Sequence, residues 1–286
     1  MDAVSLRTQR IEVANGTGTL RLAVRDWGDP AADRTVVCIH GLTRNARDFD
    51  ALAGRLARSA RVLCVDLPGR GGSDWLADPM GYAVPTYATL LRLLLGRLNL
   101  PAVDWIGTSL GGLIGMVLAG VSDTPIRRLV LNDVGPFVPK APLELIKGYL
   151  GLDQQFAGLA ELEQHLRLIH APFGPLTDAQ WRTLAVNSSR RDPDGTWRLH
   201  YDPAIRAPFA SWSVTDIDLW SFWDAIRCPT LILRGADSTL LEATTATAMM
   251  KRGPKKVDLV EWAGIGHAPA LVDAVQIATV ADWLDL

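Results

Sequence analysis

Val103-Asp104-Trp105-Ile106-Gly107-Thr108-Ser109-Leu110-Gly111-Gly112 decides the fold of this 286-residue chain. A short apolar run, Val103–Ile106, reads as a strand buried on both faces, and the stretch Gly112–Gly120 that follows reads as a helix. Between them lies Gly-x-Ser-x-Gly. A turn this abrupt from strand to helix forces its central residue into a strained conformation, and a Cβ on either flanking position would meet neighbouring backbone. Ser109 is thereby set at the C-terminal edge of the sheet, where a hydroxyl can meet a substrate.

The same stretch opens a competing view. From Trp105 to Ser122, 18 residues pass without a charge, the length at which a membrane helix becomes a candidate. Five glycines interrupt the run, and its first residues belong to the strand and turn. Only Leu110 to Val121 is left for a helix, too few to span, so the missing charges point to a central strand and a helix packed beneath the rest of the fold.

Outward from this turn, short β-rich runs alternate with helical patterns. Ile11–Ala14 and Leu20–Arg25 flank Asn15-Gly16-Thr17-Gly18 and predict an antiparallel hairpin. Thr35–Ile39, Val62–Val65 and Arg128–Leu131 predict further buried strands. Phe49, Leu52, Ala53, Leu56 and Ala57 recur at helical spacing, and Pro85 opens a second amphipathic pattern, Thr86–Leu98. Such alternation implies a parallel sheet covered on both faces. It breaks off after Asn132 and resumes at Thr230–Leu233, followed by a helix from Leu240, the strand Val257–Glu261 and the helix Ala270–Leu284. The interruption is an insertion. It carries helical patterns at Pro142–Leu150, Leu159–Ile169 and Asp178–Asn187, then a loop at Ser188–Gly195. The expected division is a core of residues 1–134 and 214–286 with a helical lid of residues 135–213. Most of the insertion's aromatics suit a small core of its own, while Trp181 and Trp212 are candidates to line a cleft between insertion and sheet.

A serine hydroxyl attacks only when a base removes its proton and a third group orients that base. His267, in Gly264-Ile265-Gly266-His267-Ala268-Pro269, follows the last strand pattern and is the expected base. His165, His170 and His200 fall in the insertion. For the acid, Asp237, after the strand Thr230–Leu233, is the first choice; Asp133, one strand over, competes for the same imidazole. Ser109, Asp237 and His267 then occur in the order Ser…Asp…His.

With these motifs in place, the chain resembles the α/β-hydrolase superfamily, in its lid-bearing branch of serine esterases, lactonases and carbon–carbon bond hydrolases. The resemblance runs from Ile11 to Leu284 and rests on His40-Gly41, Asp66-Leu67-Pro68-Gly69-Arg70-Gly71-Gly72-Ser73, the turn at Ser109, the insertion, Asp237 and Gly266-His267. It implies a mostly parallel eight-stranded sheet with helices on both faces. It also implies an oxyanion hole made by the backbone amides of Leu42 and Leu110, donors of a kind worth about 10²–10³ in rate each. His40 is expected to brace its loop. Arg44 either meets a substrate carboxylate or pairs with Asp48 at i+4.

Serine at the turn, where related dehalogenases and epoxide hydrolases use a carboxylate, implies an acyl-enzyme. The expected reaction is cleavage of a small, largely apolar carboxylic ester or lactone. Carbon–carbon hydrolysis of a ring-cleavage dienoate is the alternative, although Leu42-Thr43-Arg44-Asn45 lacks the glycines such enzymes carry there; a ligand receptor of low turnover on the same fold is a third reading. With 29 basic and 31 acidic residues the chain has no cationic surplus for nucleic acid, and a small-molecule substrate is the expected partner. No cofactor is expected. The five histidines and three cysteines show none of the usual metal-ligand spacings. Cys38, Cys64 and Cys228 make no disulfide framework, and Met1–Ile11 holds no secretory apolar stretch, so a cytoplasmic, non-membrane protein is expected.

Overall fold

The computed structural model describes residues 4–16, 18–210 and 213–286. The chain opens with an antiparallel hairpin, β1 (Leu6–Asn15) and β2 (Gly18–Trp27), in which Val13 and Leu20 face each other inward. Then follow β3 (Thr35–Ile39), α1 (Asp50–Leu56), β4 (Arg61–Val65), α2 (Val84–Arg97), β5 (Val103–Thr108), α3 (Leu110–Ala119) and β6 (Ile126–Asn132). After β6 come β7 (Phe137–Val138), α4 (Lys140–Tyr149), β8 (Gln155–Phe156), α5 (Leu159–Ile169), α6 (Asp178–Ser188), β9 (Ser189–Arg191), β10 (Trp197–Leu199) and α7 (Ala207–Ala210) of the insertion, and then β11 (Ile217–Asp218). The core resumes with α8 (Trp220–Ala225), β12 (Thr230–Gly235), α9 (Ala243–Met249), β13 (Val257–Trp262) and α10 (Ala274–Leu284).

Eight strands form one sheet in the order β1-β2-β4-β3-β5-β6-β12-β13. From β4 to β13 every pairing is parallel, and only β2 runs the other way, antiparallel to both β1 and β4. This is the mostly parallel eight-stranded sheet expected above. Continuous apolar strands need cover on both faces, and two separate cores supply it. One packs α2 and α3 against Val37, Trp105 and Leu129; the other packs α1 and α10 against Val36, Ile106 and Val130. Successive side chains of β5 alternate between these cores, as the pleat requires.

The uncharged run is accounted for here. The helical part, α3, is ten residues long and is buried at eight of them, because β5, β6 and α2 enclose it. Among the described residues no helix is long and apolar enough to cross a membrane.

The insertion is more than helical. A two-stranded ribbon of β7 and β11 stands at its neck, and β8, β10 and β9 form a small antiparallel sheet. The stretch expected as a loop, Ser188–Gly195, is the end of α6 followed by the first strand and the turn of a hairpin: Ser189–Arg191 is β9, paired with β10 through Arg191 and Trp197 across the turn Asp192-Pro193-Asp194-Gly195. Three residues are too few for periodicity to register.

Candidate active site

Ser109 sits between β5 and α3 with φ +51° and ψ −113°. This is a costly backbone for a residue with a Cβ. It is held by Ser109 N–H donating to Asn132 O at 2.9 Å and by the Trp105 Nε1–H donating to Gly111 O at 3.1 Å. The flanking glycines have a steric cause. A Cβ on Gly107 would stand 2.2 Å from Gly111 O, and one on Gly111 would stand 2.0 Å from Ile39 O, so the turn can be this tight only without either.

His267 follows β13 and reaches back across β12 and β6 to the end of β5. Its loop is fixed from both sides: Asp237 N–H donates to Ile265 O at 2.9 Å and Gly266 N–H donates to Pro172 O of the insertion at 2.7 Å. The imidazole Nε2 lies 2.9 Å from Ser109 Oγ. Its Nδ1 lies 2.7 Å from Asp133 Oδ2.

The carboxylate brought to the imidazole is therefore that of Asp133, and Asp237 is not brought to it. Asp133 directly follows β6, the strand next to the one that carries Ser109, and adopts φ +56°. That backbone turn lets its amide donate to Leu233 O at 2.8 Å while its fully buried carboxylate faces the imidazole. β12 instead continues to Gly235 and closes a tight turn, Ser238 N–H to Gly235 O at 2.9 Å, which leaves Asp237 exposed at its tip. The same turn serves Asp133 differently. Gly235 N–H donates to Oδ1 at 2.9 Å and Ser238 Oγ–H donates to Oδ2 at 2.6 Å. Ser238 gave no signal in the sequence, since a serine in a turn is unremarkable there.

A hydroxyl on an imidazole whose other nitrogen faces a buried carboxylate can lose its proton as it attacks. With the carboxylate beside it, Nδ1 carries the proton and Nε2 is left to accept. The charge that develops needs donors nearby. Leu110 is the first residue of α3, where an N–H has no partner within the helix, and Gly41, one residue before Leu42, runs against Ser109, with a Cβ placed on it only 3.7 Å from Ser109 Cβ. His40 holds that loop. Its Nε2 accepts from Leu67 N–H at 3.0 Å, so its Nδ1–H donates to Gly41 O at 2.7 Å. Complete burial pushes its basicity down to about 3, and it stays neutral. Asp66 ties the next layer, accepting from Ala46 N–H and Gly72 N–H; burial lifts its carboxyl to about 6.

A cavity of about 300 Å³ opens beside this group, between the sheet and the insertion. Thr108, Ala268 and Pro269 line its inner end, flanking Ser109 and His267, while Phe49, Phe173 and Leu184 make much of its wall. Of the candidates for substrate contact, Arg44 is on this wall but is engaged: it grips Asp48 through two bonds of 2.9 and 2.6 Å and donates to Ser188 Oγ at 2.8 Å. Of its two readings, the i+4 pair is the one seen. Trp181 does not line the cavity. Helix α6 turns Gln180, Thr183, Leu184 and Asn187 toward it, whereas Trp181 is buried on another face with the Arg167 guanidinium 5.6 Å over its ring. Trp212 lies outside the described residues. Among the described residues no cluster of His, Cys, Asp and Glu could hold a metal.

Comparison with known proteins agrees with this architecture. The alpha/beta hydrolase fold family profile matches residues 34–274. The chain is 45% identical over 284 residues to a 3-hydroxybutyrate-oligomer hydrolase of Cupriavidus necator, covering 96% of this chain and 97% of that one. It is 27% identical to an esterase of Mycobacterium tuberculosis, over 92% and 90% of the two chains. The crystal structure of an alpha/beta hydrolase from Novosphingobium aromaticivorans superposes with a TM-score of 0.88 at 37% identity, covering 97% of this chain and 98% of the other. By sequence and by fold, the chain belongs to the alpha/beta hydrolases.

Proposed function

We propose that this hydrolase is a serine esterase that cleaves short oligoesters of a hydroxy acid of the 3-hydroxybutyrate kind through an acyl-enzyme. The observation that carries the chemistry is the continuous chain Ser109 Oγ, His267 Nε2, His267 Nδ1, Asp133 Oδ2, with links of 2.9 and 2.7 Å, beside a cavity lined by the chain neighbours Thr108 and Ala268. The relative from Cupriavidus necator supports the substrate class, and the cavity size supports a short chain: about 300 Å³ is at the small end of ligand pockets.

Ser109 attacks the ester carbonyl as His267 takes its proton. The amides of Leu42 and Leu110 receive the oxyanion, and Asp133 steadies the imidazolium. Collapse expels the alcohol end of the substrate, which takes the proton from His267. Water, deprotonated by His267, then releases the acid and restores Ser109. The insertion, residues 135–213, acts as the lid that keeps bulk water from the acyl-enzyme. Cys38, Cys64 and Cys228 are all free thiols, which supports a reducing, cytoplasmic site of action.

The test is release of monomer from purified 3-hydroxybutyrate dimer and trimer, with p-nitrophenyl butyrate as a neutral reporter. Ser109→Ala should lose both activities by at least about 10³-fold. Retention of either at the wild-type rate refutes the assignment.

A further inference from the structure

The outer wall of the cavity carries three charged groups beside Arg44, namely Arg47, Asp48 and Asp50. Two of them are spoken for. Asp48 is held bidentate by Arg44, and Asp50 is held bidentate by Arg25 at 2.9 and 3.1 Å. Arg47 is left over. Its one ion pair among the described residues is a single long contact, 3.5 Å to the Asp50 already taken by Arg25, and 46% of its side chain is open. With Arg25 neutralising Asp50 from outside the cavity, the cluster of three arginines and two aspartates has one positive charge in surplus, on a guanidinium whose planar fork suits a carboxylate. The short helical turn that bears it is anchored by Asn45, whose side-chain amide donates to Asn187 O of the insertion and whose oxygen accepts from Arg47 N–H.

We propose that Arg47 is a specificity residue: it forms a subsite for the free carboxylate of the substrate, setting a carboxylate-terminated oligoester with its acid end at the outer wall and its scissile ester at Ser109. This rests on the esterase reading above and adds a direction to it. In a hydroxy-acid oligoester the free carboxylate belongs to the unit that leaves as the alcohol. Arg47 thus holds the leaving-group side, acts during acylation, and has let go before deacylation begins. An apolar inner wall and one cation at the outer wall without a close ion pair match a substrate of methyl and ester groups ending in one anion.

The experiment compares kcat/KM for the 3-hydroxybutyrate dimer as free acid and as methyl ester, since this ratio reports acylation alone. The wild type should favour the acid, Arg47→Gln should lower the acid-to-ester ratio about tenfold, and Arg47→Lys should restore most of it. Added salt at 0.5 M should lower the wild-type ratio in the same direction, because the pair is solvent-facing. A ratio unmoved by Arg47→Gln, with both substrates turned over by the wild type, overturns the subsite while leaving the esterase reading intact. Turnover of neither substrate by the wild type overturns the esterase reading and the subsite together.

Discussion

His267 Nδ1 lies 2.7 Å from Asp133 Oδ2, so the carboxylate that meets the imidazole comes from the end of β6 and not from the end of β12. Asp133→Asn should lower kcat for p-nitrophenyl butyrate by about 10³–10⁴, because an amide in that place favours the wrong imidazole tautomer. Asp237→Asn, on an exposed turn, should stay within about twofold. Steady-state kinetics on the two variants decide it, and the reverse ranking would restore Asp237 as the acid.

The difference between these two aspartates marks how far the sequence could be read. Gly107-Thr108-Ser109-Leu110-Gly111 announced strand, turn and helix at once, because the only backbone that joins them so tightly excludes a Cβ at two fixed positions. His267 could be placed because it follows the last strand. Both aspartates also follow strands, and the sequence put Asp237 first. What separates them is φ +56° at Asp133 and the course of the Gly235–Ser238 turn, three-dimensional facts with no one-dimensional trace. Trp181 faces away from the cavity, and an aromatic on an insertion helix can face a cavity or its own helix bundle, a choice that spacing along the chain leaves open.

Ser238 is expected to be a positioning residue. Its hydroxyl shares Asp133 Oδ2 with His267 and is itself aimed by Leu240 and Leu241 N–H, at 3.3 and 3.2 Å. Removing this donor leaves more negative charge for the imidazole, which stabilises imidazolium. Ser238→Ala should therefore move the acid limb of the kcat/KM profile to higher pH and reduce kcat a few-fold. A rate loss with no movement of that limb would mean the hydroxyl serves only the turn.

Gly111→Ala should destabilise the protein by at least about 2 kcal/mol and reduce activity, since the new Cβ would fall 2.0 Å from Ile39 O in backbone that cannot yield cheaply. Gly54→Ala is the contrast. Gly54 lies within α1 with nothing near the added carbon, and the exchange should stabilise by about 0.5–1 kcal/mol. Urea midpoints of both variants test the pair.

Acid should weaken the fold through His40. Its folded-state basicity, about 3, is below the unfolded value of 6.5, so the unfolded chain binds the extra proton. His40's contribution is intact above 6.5 and is lost as pH falls from there toward 3. Between pH 7 and 5 this amounts to about 2 kcal/mol. Asp66 works the other way. Its carboxyl is raised to about 6, the folded state takes up the proton first, and about 1 kcal/mol returns over the same interval. Urea unfolding at the two pH values should show a net loss in the wild type, and a smaller loss in His40→Gln despite its lower stability at pH 7. An equal loss in both would remove His40 from the account.

Covalent labelling tests the central claim most directly. A fluorophosphonate needs an activated serine, and intact-mass and peptide analysis locate where it reacts. The wild type should take up one adduct, on Ser109; Ser109→Ala should take up none, and Asp133→Asn should label far more slowly. An unlabelled wild type, or a Ser109→Ala variant labelled at the wild-type rate, would contradict the assignment of Ser109 as nucleophile.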